Sequence, residues 1–391
     1  MIEQITSFNF NTTPRIIYGA HVAKDASPFS KLIGDRILLV TDRGLTNLGL
    51  YEDLLKNLEK IDATVTVFDD VEADPSLKTL EKAISVGKDI ACTGVVGFGG
   101  GSSMDVAKLA ALVLGSGEDL ESAWGVANAK GPRLPLCLIP TTAGTGSEVT
   151  PVSIITVDGD EKRGVSSPII LPDFAVLDPT LTLGLPAATT AATGIDAMVH
   201  AIEAYASKNK NNNPMSGILA KEALVLLGGS IRTAVSDPKN LQARGKMLLG
   251  STLAGMAFAN SPVAAVHALA YPLGGSFHIT HGLSNALVLP AVLRFNAVDA
   301  WAAKKYAELF PFLFPNEEMG NNNQTNASLF IEKLTVLSKE LGLPQKLREV
   351  SIPEDACASM AKDAMKQTRL LINNPRELSE RDAYDIYHSI W

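Results

Sequence analysis

Residues 94–103 read Gly94-Val95-Val96-Gly97-Phe98-Gly99-Gly100-Gly101-Ser102-Ser103. A short β-branched run leads into three consecutive glycines, and a helical pattern follows near residues 103–114. Strand, glycine loop and helix in this order are typical of a parallel sheet with helices on its faces. A tight turn would need about one glycine, so three favour a loop that binds phosphate through backbone amides at a helix N-terminus. The spacing is not that of the dinucleotide-binding fingerprint.

The alternation of strand and helix extends on both sides of this loop. Strands are predicted at residues 36–41, 63–68, 94–98 and 136–139, and helices near residues 51–61 and 76–88 lie between them. Residues 153–160 indicate a hairpin with Asp158-Gly159 at its turn.

The second half of the chain has a different pattern. Long Ala- and Leu-rich segments with few strand signals predict helices near residues 187–207, 216–235, 241–260, 297–310 and 327–341. We therefore expect residues 1–185 to form an α/β nucleotide-binding domain with a parallel sheet. Residues 186–391 should form an all-α domain. A chain of 391 residues is long for a single core, which favours the same division.

Composition excludes several classes of function. The net charge is −8, and no stripe of Lys and Arg with aromatic residues suggests a nucleic-acid partner. No apolar stretch is long enough to span a bilayer, so no membrane partner is expected. Cys92, Cys137 and Cys357 are far apart and lack metal-ligand spacing. We read them as reduced thiols, which favours a cytoplasmic protein.

Four residues of the second half suggest a metal site. Asp196 and His200 are spaced so that both side chains lie on one face of a helix. His267 and His281 follow in apolar, glycine-rich segments. Three imidazoles and a carboxylate are a ligand set for a divalent transition metal. The alternative is a group of hydrogen-bonded core residues, but burying several histidines without partners is costly.

Further residues suggest a nucleotide site. A second loop of glycines and small hydroxyl residues, residues 140–148, follows another strand. Two such loops at the ends of parallel strands are where ligands of open sheets bind. Asp42 ends a strand and could accept hydrogen bonds from ribose hydroxyls, or be only a helix cap. Lys162 on its own would be a solvated surface charge.

These motifs give the chain a resemblance to the iron-containing (group III) alcohol dehydrogenases over almost its whole length. The resemblance is carried by Gly99–Ser102, by residues 140–148, by residues 194–205, by Leu273-Gly274-Gly275 with His281-Gly282, and by Asn374-Pro375-Arg376. It implies a nucleotide-binding α/β domain followed by a helical metal-binding domain, an architecture similar to that of dehydroquinate synthase.

The resemblance also implies roles for individual residues. The metal ligands would be Asp196, His200, His267 and His281, holding Fe²⁺, with Zn²⁺ an alternative. The residues around an NAD molecule would be Asp42, Asp74, Gly99, Gly100, Gly101, Ser102, Thr141, Thr142, Thr150, Lys162 and Leu181. Asp42 matches an Asp that is linked to preference for NAD over NADP.

One position departs from the family pattern. Many relatives have a second His one turn after the third metal ligand, and this chain has Tyr271 there. The cofactor or proton-transfer role of that His is therefore in doubt here. Pro272, the next residue, disfavours a regular helix at Tyr271.

We predict a metal- and NAD-dependent dehydrogenase that interconverts a primary alcohol and its aldehyde by hydride transfer. Asp196, His200, His267 and His281 would act in catalysis through the metal, and the enzyme would be a homodimer or larger homo-oligomer. Two alternatives are a metal-dependent lyase similar to dehydroquinate synthase and a non-catalytic binding protein of the same fold. The lyase would need a cluster of Lys and Arg around an acidic substrate, whereas the segment around Phe258 is apolar.

Overall fold

The computed structural model describes residues 7–157 and 161–391 of the chain. They form two units, one of Asn11–Gly184 and one that joins the described residues up to Phe10 with Leu185–Trp391. The strands are β1 (Arg15–Tyr18), β2 (Arg36–Val40), β3 (Thr64–Phe68), β4 (Gly94–Gly99), β5 (Gly125–Val126), β6 (Leu136–Pro140), β7 (Val152–Val157), β8 (Glu161–Ser166) and β9 (Phe174–Leu177).

The helices of the first unit lie between these strands. They are α1 (Ser30–Ile33), α2 (Arg43–Asn47), α3 (Glu52–Glu59), α4 (Leu77–Asp89), α5 (Gly101–Ser116) and α6 (Leu120–Ala123). Within the described residues, six strands pair in the order β1-β9-β6-β4-β2-β3, and every pair is parallel. The predicted parallel sheet is confirmed, and the four predicted strands are β2, β3, β4 and β6.

The core of this unit lies on both faces of the sheet. In β2, Leu38 and Val40 pack into one buried cluster, while Ile37 and Leu39 pack into the other. Each apolar residue therefore reaches a core, which explains why the strand reads as a continuous hydrophobic run rather than an alternating one. Strands β1 and β9, of four residues each, are not among the predicted strands.

The register of the central strands brings three chain segments to one edge of the sheet. Val40 lies opposite Gly97, and Gly99 lies opposite Pro140. The carboxyl ends of β2, β4 and β6 are therefore neighbours, and the loops that follow these strands lie side by side.

A small second sheet contains the predicted hairpin. Among the described residues its strand order is β5-β8-β7, and β7 pairs with β8 in antiparallel fashion from Val152 opposite Ser166 to Val157 opposite Glu161. The pairing is confirmed. The predicted turn at Asp158-Gly159 lies outside the described residues.

The regular structure in the described residues of the second unit is helical, as predicted. Its helices are α7 (Ala187–Tyr205), α8 (Pro214–Gly228), α9 (Ile231–Ser236), α10 (Leu241–Asn260), α11 (Ala265–Phe277), α12 (His281–Asn296), α13 (Ala300–Leu313), α14 (Asn323–Glu340), α15 (Ala356–Ala364), α16 (Thr368–Leu371) and α17 (Glu380–Ser389). Helix α10 has the predicted bounds, whereas the predicted helix at residues 216–235 is divided into α8 and α9.

The expectation of an irregular backbone at Tyr271 is wrong. Helix α11 runs without interruption through Tyr271 and Pro272. Pro272 cannot donate a helical hydrogen bond, which weakens an isolated helix. Here Val266, Leu269 and Leu273 of the same helix are completely buried, and the packing of this apolar face outweighs the missing bond.

Buried apolar helices of this kind resemble membrane spans by composition. No single helix in the described part of the chain is long and apolar enough to cross a membrane. Helices α10 and α11 reach the length and hydropathy of a membrane span only when they are taken together, and the chain bends by 108° between them.

Candidate functional site

Helix α7 positions two of the predicted metal ligands on one buried face. Asp196 and His200 are one turn apart, and their residues are only 1% and 4% exposed. A carboxylate and an imidazole at such depth need polar partners, because isolated polar groups in an apolar interior are destabilising. Two further helix ends supply those partners.

The other two histidines stand at helix N-termini. His267 is the third residue of α11, and His281 is the first residue of α12. The structure brings all four predicted ligands together, with one ligand atom of each within 4.8 Å of the others. We call these four residues the Asp/His cluster. The ring of His267 lies 4.8 Å from that of His200 and 5.3 Å from that of His281.

Three members of the Asp/His cluster are buried, and the fourth, His281, is partly exposed. The side chain of His281 is 34% exposed, while that of Asp196 is 2% exposed. Access for a small molecule is therefore on the His281 side of the cluster.

The carboxyl group of Asp196 is held in its ionised form. Burial by itself would raise the pKa of Asp196. The imidazoles of His200, His281 and His267, together with the Asn285 hydrogen bond, outweigh burial and bring that pKa below its ordinary value. An ionised carboxylate is the form that binds a metal.

Two residues of this site were not predicted from the sequence. Glu203 accepts the hydrogen bond of His267 Nδ1 at 2.6 Å, and Asn285 Nδ2 donates to Asp196 Oδ1 at 2.6 Å. Helical spacing could have indicated both residues, because Glu203 follows Asp196 by seven residues and Asn285 follows His281 by four. Both spacings place the residue on the face of its neighbouring ligand.

The surroundings of Asn285 show that the cluster suits a metal ion. Its Nδ2 lies 2.6 Å from Asp196 Oδ1, 3.3 Å from His267 Nε2 and 3.2 Å from His281 Nε2. An amide nitrogen has only two hydrogens for these three atoms. Asn285 Oδ1 has no hydrogen-bond partner among residues 7–157 and 161–391. Asp196 Oδ1 and the two imidazole nitrogens thus converge on one amide, and this set of potential ligand atoms fits a divalent cation.

Two aromatic side chains line the cluster. The ring of Phe258 stacks on His200 with 4.3 Å between centroids. Tyr271, at the position that departs from the family pattern, lies with its ring 6.3 Å from that of His281. The hydroxyl of Tyr271 accepts a hydrogen bond from Arg369 at 3.2 Å.

The predicted phosphate loop lies at the N-terminus of α5. Gly100 is the N-cap residue and provides no side-chain cap, so the first amides of the helix remain available to a ligand. Gly99 has φ +155°, and a Cβ there would lie 2.6 Å from Ser103 Oγ. The open cradle at Gly99, Gly100, Gly101 and Ser102 therefore depends on glycine, and it fits an anionic group of a nucleotide.

The second loop is joined directly to the first. The amide of Thr141 donates to Gly99 O at 2.9 Å, and Thr142 is the side chain nearest to the Cβ position of Gly100. Asp42 lies at the end of the neighbouring strand, where its Oδ1 caps α2 by accepting from Leu45 N at 3.1 Å. Leu45 in turn approaches the Cβ position of Gly99 at 3.4 Å. Asp42 is thus the cap of a short helix whose Leu45 contacts the first loop.

Two more predicted cofactor residues form an ion pair. Lys162 Nζ donates to Asp74 Oδ1, and the Lys162 side chain is 13% exposed. Lys162 is therefore not the solvated charge that its sequence context alone suggests. Leu181 is partly buried and packs against the core cluster that contains Phe174 and Val176. The structure therefore gives Leu181 a packing role in the core of this unit.

A buried lysine, not predicted from the sequence, supports the second loop. Lys108 Nζ donates to Ser147 Oγ at 2.7 Å, to Thr150 Oγ1 at 3.3 Å and to Val152 O at 2.7 Å. Ser147 Oγ donates onward to Asp105 Oδ1 at 2.7 Å. Burial lowers the pKa of Lys108, while the charges of Asp105 and Glu148 oppose that change. The hydroxyl of Thr150 is thus engaged within the protein and helps to set the loop.

Comparison with known proteins gives one consistent result. The profile described as iron-containing alcohol dehydrogenase matches residues 13–179, and that described as Fe-containing alcohol dehydrogenase family, C-terminal, matches residues 190–391. The chain is 41% identical to long-chain-alcohol dehydrogenase 1 of Geobacillus thermodenitrificans (strain NG80-2), over 93% of this chain and 91% of that protein. It is 32% identical to the NAD-dependent methanol dehydrogenase of Bacillus methanolicus, over 97% and 98% of the two chains.

A solved structure shares the fold. The crystal structure of a 1,3-propanediol oxidoreductase superimposes with a TM-score of 0.94 at 34% identity, covering 99% of this chain and 100% of that one.

Proposed function

The chain belongs to the iron-containing alcohol dehydrogenase family, and we propose that its Asp/His cluster holds the metal at which a primary alcohol and its aldehyde are interconverted. The protein is an NAD-dependent alcohol oxidoreductase. Its cofactors are NAD and a divalent metal, which the family description gives as iron. The observation that carries the proposed site is the convergence of four ligand atoms within 4.8 Å from three separate helices.

Each cofactor supplies chemistry that the side chains lack: a bound divalent metal polarises the substrate oxygen as a Lewis acid, and the nicotinamide accepts or donates the hydride. The protein contributes position and environment. Asp196, His200 and His267 are held at fixed helix positions and are almost completely buried, so these three side chains are shielded from water. The opening beside His281 admits the substrate, and its hydrocarbon part packs on Phe258.

For the dinucleotide, we propose contacts along the carboxyl edge of the sheet. Amides at the start of α5 bind the phosphates, with Thr141 and Thr142 beside them. Asp42 accepts hydrogen bonds from the adenosine ribose, and its charge opposes the 2′-phosphate of NADP. The proposed set is completed by the Asp74–Lys162 pair, Thr150 and Leu181. Lys108 holds Thr150 in place by donating a hydrogen bond to its hydroxyl.

The family match favours the dehydrogenase over the two alternatives weighed from the sequence. The neighbours of the cluster agree, because a lyase for a phosphorylated acid would need several cations there. The side chains that stack on or lie beside its imidazoles are the aromatic Phe258 and Tyr271, with Arg369 hydrogen-bonded to Tyr271.

The metal assignment is tested by His267→Ala and His281→Ala. Each should remove both the metal and NAD-linked turnover while circular dichroism shows the fold retained. His388→Ala is the matched control, since His388 is half-exposed near the end of α17. Metal content is measured by elemental analysis of protein loaded separately with Fe²⁺ and Zn²⁺. Full metal occupancy in either cluster variant would show that the replaced histidine is not a ligand.

We also propose that the enzyme acts in the cytoplasm as a homodimer or larger homo-oligomer. The three cysteines, all within the described residues, form no disulfide. Strand β1 lies at an edge of the parallel sheet and leaves Ile16 and Tyr18 exposed, as expected of a surface that pairs with another copy. Light scattering after size exclusion measures the assembly, and a monomeric mass would contradict it.

A further inference from the structure

We propose that Glu203 is a positioning residue that holds His267 in the tautomer whose Nε2 can bind a metal. The inference rests on the proposed metal role of the Asp/His cluster. Glu203 is 5% exposed and His267 is 3% exposed, so their contact is shielded from water. Glu203 lies on the same face of α7 as Asp196 and His200, and it reaches across to α11.

The carboxylate of Glu203 accepts two hydrogen bonds from consecutive residues. Its Oε1 accepts from Val266 N at 2.7 Å, and its Oε2 accepts from His267 Nδ1 at 2.6 Å. An ionised carboxylate can only accept, so a neutral His267 paired with it carries its ring proton on Nδ1. Nε2 then carries the lone pair, and Nε2 is the atom that faces Asn285 and the cluster.

The bond from Glu203 to His267 fixes the orientation of the imidazole ring, and the bond to Val266 holds the start of α11. Val266 is in the first turn of α11, whose N-cap residue Ala264 offers no side-chain cap. Glu203 therefore caps α11 from a different helix, and its charge is favourable at the positive end of the helix dipole. The start of the helix and the orientation of His267 are thus set by one side chain.

An amide of the same shape cannot replace this carboxylate. Glutamine has one acceptor oxygen and one donor nitrogen, while Val266 and His267 present two donors. If the amide oxygen accepts from Val266, its NH₂ group faces Nδ1 and favours the tautomer with the proton on Nε2. In the reverse orientation the His267 tautomer is kept, but the buried amide of Val266 loses its partner, at a cost of about 1–3 kcal/mol.

Glu203 also balances charge. A divalent cation brings two positive charges into a buried site, and Asp196 supplies only one negative charge. Glu203 supplies the second, without which a net charge would remain buried. Outer carboxylates that bond to a ligating histidine raise its basicity, and their loss typically lowers metal affinity by about 10–100-fold.

The first test measures metal binding in Glu203→Gln. We expect the dissociation constant for Co²⁺, from competition with a chelator, to rise by about 10–100-fold. The ligand-field absorption of bound Co²⁺ should also change, because His267 is displaced or lost. Glu222→Gln is the matched control, since Glu222 is an exposed carboxylate on α8. Unchanged Co²⁺ affinity and spectrum, even with a lowered melting temperature, would reduce Glu203 to a helix cap and overturn the proposal.

A second measurement does not depend on metal or activity. Protein with ¹⁵N-labelled histidine contains only six imidazoles, and their ring nitrogen shifts report the tautomer. In the metal-free protein His267 should carry its proton on Nδ1, and Glu203→Gln should shift it toward the other tautomer. A His267 ring protonated on Nε2 in the unmodified protein would refute the proposal directly.

Two controls separate the inference from the proposed function. Glu203→Asp keeps the charge but shortens the side chain, so its Co²⁺ affinity should lie between those of the unmodified protein and Glu203→Gln. Glu203→Asp also replaces Glu203→Gln as the test variant if the latter does not fold. A Co²⁺ affinity of Glu203→Asp equal to that of the unmodified protein would show that the two-bond geometry is not needed. If His281→Ala leaves Co²⁺ binding intact, the proposed metal site is wrong, whereas the tautomer measurement still decides the role of Glu203.

Discussion

Gly282→Ala should weaken the metal site although residue 282 has no side chain that could act as a ligand. Gly282 follows His281 in the first turn of α12, where that helix touches α7. A Cβ built on Gly282 would lie 2.7 Å from Ala192 O and 2.9 Å from Ala192 C. These are backbone atoms, so no side-chain rotation relieves the overlap. In helical bonding the carbonyl of Ala192 accepts from the amide of Asp196, and the collision therefore falls on the turn that holds a ligand.

The size of the effect follows from these distances. Ordinary Cβ contacts begin at 3.4 Å, so 3.4 − 2.7 = 0.7 Å of movement is needed between the two helices. Metal–ligand distances tolerate only about ±0.2 Å. His281 and Asp196 cannot both keep their positions, and we expect Co²⁺ affinity to fall by about tenfold or more, or 1.4 kcal/mol. Overpacking should also lower the free energy of unfolding by about 1–3 kcal/mol.

The assay is chelator competition for Co²⁺, with thermal unfolding measured on the metal-free protein. Gly217→Ala is the control, because a Cβ at Gly217 of α8 would make only ordinary contact with Tyr205, at 3.5 Å. That variant should keep the affinity and gain about 0.5–1 kcal/mol of stability from the helix propensity of Ala. If Gly282→Ala binds Co²⁺ like the unmodified protein, close approach of α7 and α12 is not what sets the ligand geometry.

Two other substitutions test individual residues. Asp42→Gly should narrow the preference for NAD over NADP by about tenfold or more, since removing a unit charge about 4 Å from a phosphate changes the free energy by about 1–4 kcal/mol. The substitution also removes the cap of α2, which should lower the free energy of unfolding by only a few tenths of a kcal/mol, about what Gly costs at an N-cap. Kinetics with NAD and with NADP measure the preference, and an unchanged ratio of the two kcat/KM values would contradict the role of Asp42. Tyr271→Phe should keep most of the hydride-transfer rate and the same pH profile, because it removes only the Arg369 hydrogen bond. A loss of about 100-fold with one limb of the profile abolished would instead place Tyr271 in proton transfer.

The sequence alone was sufficient for the features that depend on local periodicity. The β-branched runs predicted β2, β3, β4 and β6 because buried parallel strands need apolar side chains on both faces. The glycine loop and the helix after it were predicted from three consecutive glycines that follow a strand, and the φ of +155° at Gly99 agrees with the need for glycine there. The Asp196/His200 pair was visible because a helix repeats every 3.6 residues or so.

The tertiary structure decided the features that depend on distant contacts. Helix α11 runs through Pro272 because its apolar face is buried in the folded protein. Local sequence rules do not include this burial and therefore cannot predict the helix there. The described residues up to Phe10 join the helical unit, and the side chain of Asn211 accepts a hydrogen bond from Asn9 N at 2.9 Å.

The candidate site shows the same division. Three histidines and an aspartate could be proposed from ligand chemistry, but not the two residues that orient them. Glu203 meets His267 across 64 residues, and Asn285 meets Asp196 across 89. A Glu or Asn on a helix is by default a surface residue. Tertiary packing leaves Glu203 only 5% and Asn285 0% exposed, and at that depth each of them pairs with a ligand of the cluster.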